Sequence, residues 1–245
     1  MPNTILAFLL FAIAPSETQD IGVIGKNDLK PIEKLYHKGN IENSMVAFLV
    51  EYNGEELASL SNGYYTNINN KNYIITAKHN LYDPNTGILI ANRVIYKIGN
   101  NKSLSLNLSE LQKKIEPFNI HNDIAYIEID ENFEKVNSLP IADKDTRYNQ
   151  VSSYSFLYEE GNINIYRQEA NILQLYESLN DIYLSDLDAI NSMSGSPVFV
   201  NENENKYFFG IITGRSKNRC EKYTPPSCST FISPVDANNI ISINQ

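Results

Sequence analysis

Short runs of β-branched and aromatic residues, each stopped by a cluster of Asn, Asp or Gly, recur along most of the chain. Met45–Val50, Tyr73–Ala77 and Ile124–Ile129 are early examples; Ile163–Tyr166, Tyr207–Ile212 and Thr230–Ile232 follow later. Such runs bounded by turn formers are the pattern of strands and hairpins, and Asn53-Gly54 and Asn62-Gly63 read as turns. Helical spacing is scarce. Ser109–Ile115 predicts two turns before Pro117, and a second helix is expected to begin at Pro234 and run over 235–243, with Val235, Ile240 and Ile241 on one face. Many short strands with little helix predict an all-β sandwich or barrel. The absence of a fixed repeat excludes solenoids and propellers. Glu131–Gln150, the least apolar internal stretch, reads as a connection between two lobes, 40–135 and 146–234, preceded by an N-terminal segment, 21–39.

One segment breaks the strand pattern. Ile5–Ala14 is ten apolar residues, short of the ~20 that cross a bilayer as a helix. Small residues and then Glu17 and Asp20 follow, which predicts a secretory signal within 1–20, although its n-region carries no Lys or Arg. A buried N-terminal strand or helix is the alternative. Export implies a secreted or periplasmic protein with no stable membrane span, and it would permit a Cys220–Cys228 disulfide. Two cysteines cannot build a disulfide scaffold, so packing must do the folding.

Charge narrows the partners. The chain has 20 basic and 29 acidic residues, a net charge of −9 and a pI near 4.9. That balance disfavours holding nucleic acid through its phosphates, and equally an anionic membrane surface. No HExxH and no Cys/His cluster has metal-ligand spacing, and neither a P-loop nor a GxGxxG occurs. No metal or cofactor is expected.

Proton-transfer chemistry must begin with His37, His79 and His121. His79 lies just past the strand-like Ile74-Ile75-Thr76-Ala77, at a rim. Asp123 opens the apolar run from Ile124, where an unpaired carboxylate would cost several kcal/mol to bury. Asn191-Ser192-Met193-Ser194-Gly195-Ser196-Pro197 is a small-residue turn ahead of an apolar strand. Each has an ordinary reading alone: a capping histidine, a solvated turn aspartate, a loop. Together they supply a base, an acid to orient it and a hydroxyl to activate. The order His, Asp, Ser then discriminates among hydrolases. Subtilisin-like enzymes run Asp, His, Ser, and α/β-hydrolases end in a His that this chain lacks after His121.

These motifs resemble those of chymotrypsin-like serine peptidases of the small bacterial trypsin-like type. Thr76-Ala77-Lys78-His79 is similar to that family's TAxH, Asp123-Ile124-Ala125 to its DIA element, and Ser194-Gly195-Ser196-Pro197-Val198 to its SG[GS]PV. Gly210–Gly214 resembles the substrate-binding strand, and Thr230–Ile243 the last strand and C-terminal helix. Val23–Asp28 and His79–Asp83 further resemble segments of bacterial glutamyl endopeptidases. Ile212 stands where those enzymes carry a histidine that reads the substrate glutamate, so their specificity does not transfer.

The resemblance implies two six-stranded antiparallel β-barrels with a C-terminal helix, acting as a monomer on a protein or peptide substrate. It casts Ser194 as nucleophile, His79 as base, Asp123 as its orienting acid, and the N–H groups of Ser192 and Ser194 as the oxyanion hole. Asp188, Thr213, Gly214 and Arg215 would border the substrate pocket: Asp188 would favour basic side chains at P1, the substrate residue before the scissile bond, and Arg215 acidic ones. The two could also neutralise each other, or both be solvated loop charges. Ser192 replaces a glycine of the family, and the backbone there is expected to need φ > 0, at a cost of about 1 kcal/mol or more for serine. A flipped peptide at 192–193 would remove one donor. The alternative function is therefore a catalytically weak domain that binds peptides or partner proteins. Lys78 is bulkier than the small residue usual beside the histidine but can point outward.

Overall fold

The computed structural model describes residues 29–32, 41–52, 59–99, 101–115, 123–131, 133, 136, 138–159, 162–176, 182–215 and 229–236. Strands dominate them. The first sheet comprises β2 (Met45–Tyr52), β3 (Ser59–Ile68), β4 (Lys71–Ala77), β5 (Ala91–Ile98), β6 (Leu104–Asn107) and β7 (Ile124–Ile129), in the order β6-β5-β2-β3-β4-β7. The second holds β1 (Lys30–Pro31), β8 (Gln150–Glu159), β9 (Asn162–Tyr176), β10 (Ile182–Ser185), β11 (Pro197–Glu202), β12 (Asn205–Arg215) and β13 (Thr230–Pro234). Its order is β1-β9-β10-β13-β12-β11-β8, and β8 also pairs with β9.

That extra pairing closes six strands of the second sheet into a ring, with β1 added outside the ring on β9. Among the described residues the first sheet has no closing ladder. Its edges are linked by the short helix α1 (Leu108–Lys114), which follows β6 and ends at Ile115, bridged to Ile127 of β7. The architecture is thus all-β with two sheets, one curled and one ring-like, rather than the expected pair of six-stranded barrels. Pro234, expected to open a helix, ends β13 instead, paired with Gly210. Of the helix expected over 235–243, Val235 and Asp236 are not helical and 237–243 lie outside the described residues, as do the signal segment, His37, His121, Cys220 and Cys228.

Local sequence explains the elements it shaped. Asn107 caps α1 by accepting from the Glu110 N–H, and the Glu110 carboxylate accepts from the Asn107 N–H, a reciprocal capping box. The β3–β4 hairpin turns at Asn69 and Asn70, with φ of 53° and 63°, and the β11–β12 hairpin at Asn203 and Glu204, with φ of 47° and 68°. Two consecutive positive φ values match the strand twist, and asparagine adopts them at low cost. Asn62-Gly63, expected to be a turn, lies instead within β3, where Asn62 is fully buried.

Among the described residues, three large clusters of buried apolar side chains and a small one at Leu49 and Leu60 make the core. One fills the first sheet around Val46, Phe48, Ile74 and Leu111; another lies within the second around Leu157, Val198, Phe209 and Ile232. The third joins the sheets: Met45, Tyr64 and Ile75 meet Tyr154, Phe199 and Phe208. Tyr64 stands edge-on to Phe199 with ring centroids 5.4 Å apart and lies 4.3 Å from Phe208. Its hydroxyl accepts from the Leu139 N–H at 2.8 Å, and burial pushes its phenol well above the ordinary tyrosine value. The connection around Leu139–Ala142 is thereby pinned, with Ile141 bridged to Phe208. This shared cluster fixes the sheets against one another, and the functional groups lie where they meet.

Candidate active site

The base and the acid stand at the ends of neighbouring strands. β4 pairs with β7 so that Ala77 faces Ile124. The chain leaves β4 into a short 3-10 turn, Lys78–Asn80, while Asp123 immediately precedes β7. The Lys78 N–H donates to the Asp123 carbonyl at 3.1 Å and the His79 N–H to Asp123 Oδ1 at 2.9 Å. The second carboxylate oxygen, Oδ2, then meets His79 Nδ1 at 2.6 Å. A carboxylate accepts only, so Nδ1 carries the proton and Nε2 presents its lone pair. Both side chains keep about a third of their surface open to solvent. Lys78 does not point outward: it is only 3% exposed.

The nucleophile comes from the other sheet. Ser194 Oγ lies 2.8 Å from His79 Nε2, which completes an unbroken Asp123–His79–Ser194 chain. Ser194 belongs to the turn before β11. Gly195 has φ +83°, and a Cβ there would fall 2.0 Å from the Asn62 carbonyl oxygen and 2.5 Å from Thr76 Oγ1. Only glycine fits such a close approach. The Gly195 N–H donates to the Ile212 carbonyl and the Ser196 N–H to the Met193 carbonyl, at 2.8 and 2.9 Å.

Ser192 has φ +73°. The Met193 N–H donates to the Ile190 carbonyl at 3.3 Å, and Asn191 is absent from the positive-φ residues. These are the marks of a type II turn, whose third residue is ordinarily glycine. Serine there costs about 1–2 kcal/mol. Among the described residues, neither the Ser192 nor the Ser194 N–H donates to a protein acceptor. The N–H at stake belongs to the Asn191–Ser192 peptide, one bond before the 192–193 peptide expected to flip.

The turn leans on the first sheet through residues that the motifs did not reveal. The Asn62 N–H donates to the Ser194 carbonyl at 3.0 Å, and Asn80 Nδ2 reaches the same oxygen at 3.3 Å. Thr76 Oγ1 donates to the Asn62 carbonyl at 2.6 Å. The Asn62 side-chain amide donates to the Ser192 carbonyl at 2.6 Å and to the Phe156 carbonyl at 3.2 Å, and it accepts from the Phe156 N–H at 2.6 Å. Asn80 sits beside the predicted base and Thr76 within the TAxH motif. Asn62 had no such flag, because its Asn-Gly pairing reads as a turn.

Of the expected pocket residues, Arg215 is bonded to this turn. Asp188 is 1% exposed, and its backbone exchanges two 2.8 Å bonds with the Gln168 side chain. Thr213 Oγ1 lies 2.9 Å from Ser233 Oγ. Gly214 pairs with Phe231, whose ring would meet a Cβ at 3.1 Å. Arg215 spans from β12 to the nucleophile loop, donating to the Ala189 carbonyl at 2.8 Å and to Asn191 Oδ1 at 3.3 Å. Both acceptors are neutral, no ion pair joins Arg215 to Asp188, and burial lowers the guanidinium below its ordinary value. Among the described residues no group of His, Cys, Asp or Glu side chains is placed to hold a metal ion, and no helix is long and apolar enough to cross a membrane.

Two sheets sharing a His-Asp-Ser site at their junction define the chymotrypsin-like serine-protease fold, and comparison with solved structures gives the same answer. The chain is similar to a Glu endopeptidase solved with MPD, at 14% identity and a TM-score of 0.61, over 91% of this chain and 100% of that one. It is similar to tobacco etch virus protease complexed with substrate, at 10% identity and 0.58, covering 84% of each chain. A serine endoprotease from Yersinia pestis matches at 17% identity and 0.54, over 82% of this chain and 61% of that one. No protein-family profile and no curated protein matches the sequence.

Proposed function

We propose that this chain is a serine endopeptidase working through an acyl-enzyme. One observation carries it: the continuous hydrogen-bonded chain from the Asp123 carboxylate through His79 to Ser194 Oγ, at 2.6 and 2.8 Å. As Ser194 Oγ bonds to the substrate carbonyl carbon, its proton passes to His79 Nε2. That proton then goes to the leaving amine as the C–N bond breaks. Water repeats the sequence on the ester, its proton passing through His79 to restore the Ser194 hydroxyl. Asp123 holds the imidazole in the required tautomer and stabilises the imidazolium. The N–H groups of Ser192 and Ser194, which have no acceptor among the described residues, are the donors for the oxyanion, each contributing about 3 kcal/mol. Ser194→Ala is expected to abolish peptide hydrolysis and labelling by an organofluorophosphate. A wild-type protein that never labels sinks the reading.

A peptide-binding domain without turnover was the competing function, motivated by Ser192. The positive φ at that residue and its available N–H favour the enzyme. For specificity, Arg215 favours an acidic P1 side chain, because among the described residues its partly buried charge has neutral partners and would gain a charge-assisted bond. On a matched pair of peptides, Arg215→Gln is expected to lower kcat/KM for P1 Glu about tenfold or more relative to P1 Gln; equal losses on both refute it. The exported location, the two lobes at 40–135 and 146–234, and the C-terminal helix belong to the same reading. Mass measurement of the protein recovered from its native host tests removal of residues 1–20.

A further inference from the structure

We infer that Asn80 is a positioning residue that ties the turn of the base to the main chain of the nucleophile, keeping His79 Nε2 in reach of Ser194 through both halves of the reaction; this rests on the endopeptidase reading above. The hydrogen bond between Ser194 Oγ and His79 Nε2 is consumed by the chemistry it starts. Once Oγ bonds to the substrate carbonyl carbon and its proton has passed to Nε2, that bond no longer joins the two residues. The same nitrogen must still serve the leaving amine and then water. A tether outside the reacting atoms keeps it in place, and the Asn80 side chain forms one.

Asn80 follows the base directly in the turn Lys78–Asn80 and is only 6% exposed. Its Nδ2 donates to the Ser194 carbonyl at 3.3 Å and to Thr76 Oγ1 at 3.1 Å. A carbonyl accepts only, so the amide nitrogen and not the amide oxygen must face Ser194. Among the described residues no other side chain bonds that carbonyl, which also takes the Asn62 N–H at 3.0 Å. The N–H of the same peptide, on Gly195, donates to the Ile212 carbonyl at 2.8 Å. The peptide leaving the nucleophile is therefore held at its oxygen by residues of the first sheet and its adjoining turn, and at its nitrogen by the second sheet. Asn80 is itself fixed at two points. Tyr52 Oη donates to its carbonyl at 3.1 Å, and Thr76 Oγ1, which takes one amide proton, gives its own to the Asn62 carbonyl at 2.6 Å. The bonds run from Asn80 through Thr76 and Asn62 to Ser194 and back to Asn80. Moving Ser194 away from the base's turn would leave a buried amide N–H without its acceptor, a costly state.

The test is Asn80→Ala, with kcat counted per fluorophosphate-labelled site so that unfolded protein does not enter the rate. Loss of the tether is expected to lower kcat about tenfold or more, within the hundredfold that a displacement of about 1 Å can cost, with KM held within about twofold. Single-turnover kinetics should show acylation and deacylation both slowed. A crystal structure of the variant forms a second arm, in which the Ser194 Oγ to His79 Nε2 distance lengthens beyond about 3.2 Å. Should Asn80→Ala not fold, Asn80→Asp keeps the size of the side chain but sets an ionised oxygen against the Ser194 carbonyl in place of the donor. It is expected to lose at least as much, whereas a residue that only filled space would tolerate it. An unchanged kcat per labelled site in either variant, a loss in KM alone, a loss confined to one of the two steps, or a distance that stays at 2.8 Å overturns the inference. A wild-type protein that neither labels nor hydrolyses peptides overturns the endopeptidase reading instead, and the crystallographic distance still decides the role of Asn80.

Discussion

The two halves of the site are built by opposite means. In the first sheet, His79 and Asp123 are placed by strand register: β4 and β7 are paired to their last residues, and the backbone at Ala77 is ordinary, with φ −70° and ψ 135°. In the second, Ser194 rides on a turn with left-handed backbone at Ser192 and Gly195. The base and acid pair is stable wherever the sheet forms. The nucleophile's turn has a conformation its own sequence resists, and its carbonyls are bonded to Asn62 and Asn80 on the far side. Strain persists where a neighbouring element over-determines the backbone, and functional groups collect there.

If that contrast is right, damage to the two halves should look different. Asp123→Asn leaves the strands paired and disturbs only the tautomer, so it should drop kcat by about 10⁴ with little change in thermal stability. A comparable fall in melting temperature would show that the pair also carries the fold. Gly195→Ala should act on both properties. Its Cβ would sit 2.0 Å from the Asn62 carbonyl oxygen, so we expect destabilisation by about 2 kcal/mol or more together with loss of labelling at Ser194. Unaltered labelling would mean that the turn yields more easily than its contacts imply. The smallest effect is Ser192→Gly. Relief of about 1 kcal/mol should raise the melting temperature by about 2–4 °C and give a modest gain in kcat. No gain in stability would show that serine is unstrained there.

Chemistry was more legible in the sequence than support was. Motif order identified His79, Asp123 and Ser194 because each sits in a short local pattern, and chain order excluded the other hydrolase arrangements. The positive φ at Ser192 was also foreseeable, since the turn type demands it whatever the residue. Asn62 was read the wrong way because its immediate neighbour is glycine, whereas its surroundings come from Phe156 and Ser192, far along the chain. The true hairpin turn fell at Asn69-Asn70, where the strand pairing ends. Lys78 was missed for a similar reason: local spacing gives a strand end, not what covers it. The open first sheet was out of reach, because whether β6 returns to β7 depends on twist accumulated over the whole sheet.

The placement of β13 has a consequence for timing. Thr230–Pro234 pairs with both β10 and β12, so the second sheet's ring cannot close until that stretch is available. During synthesis the strands bearing His79 and Asp123 leave the ribosome before β13, so the base and acid are made before the nucleophile's turn gains its final backing. A protease assembled in that order passes most of its birth without a working blade.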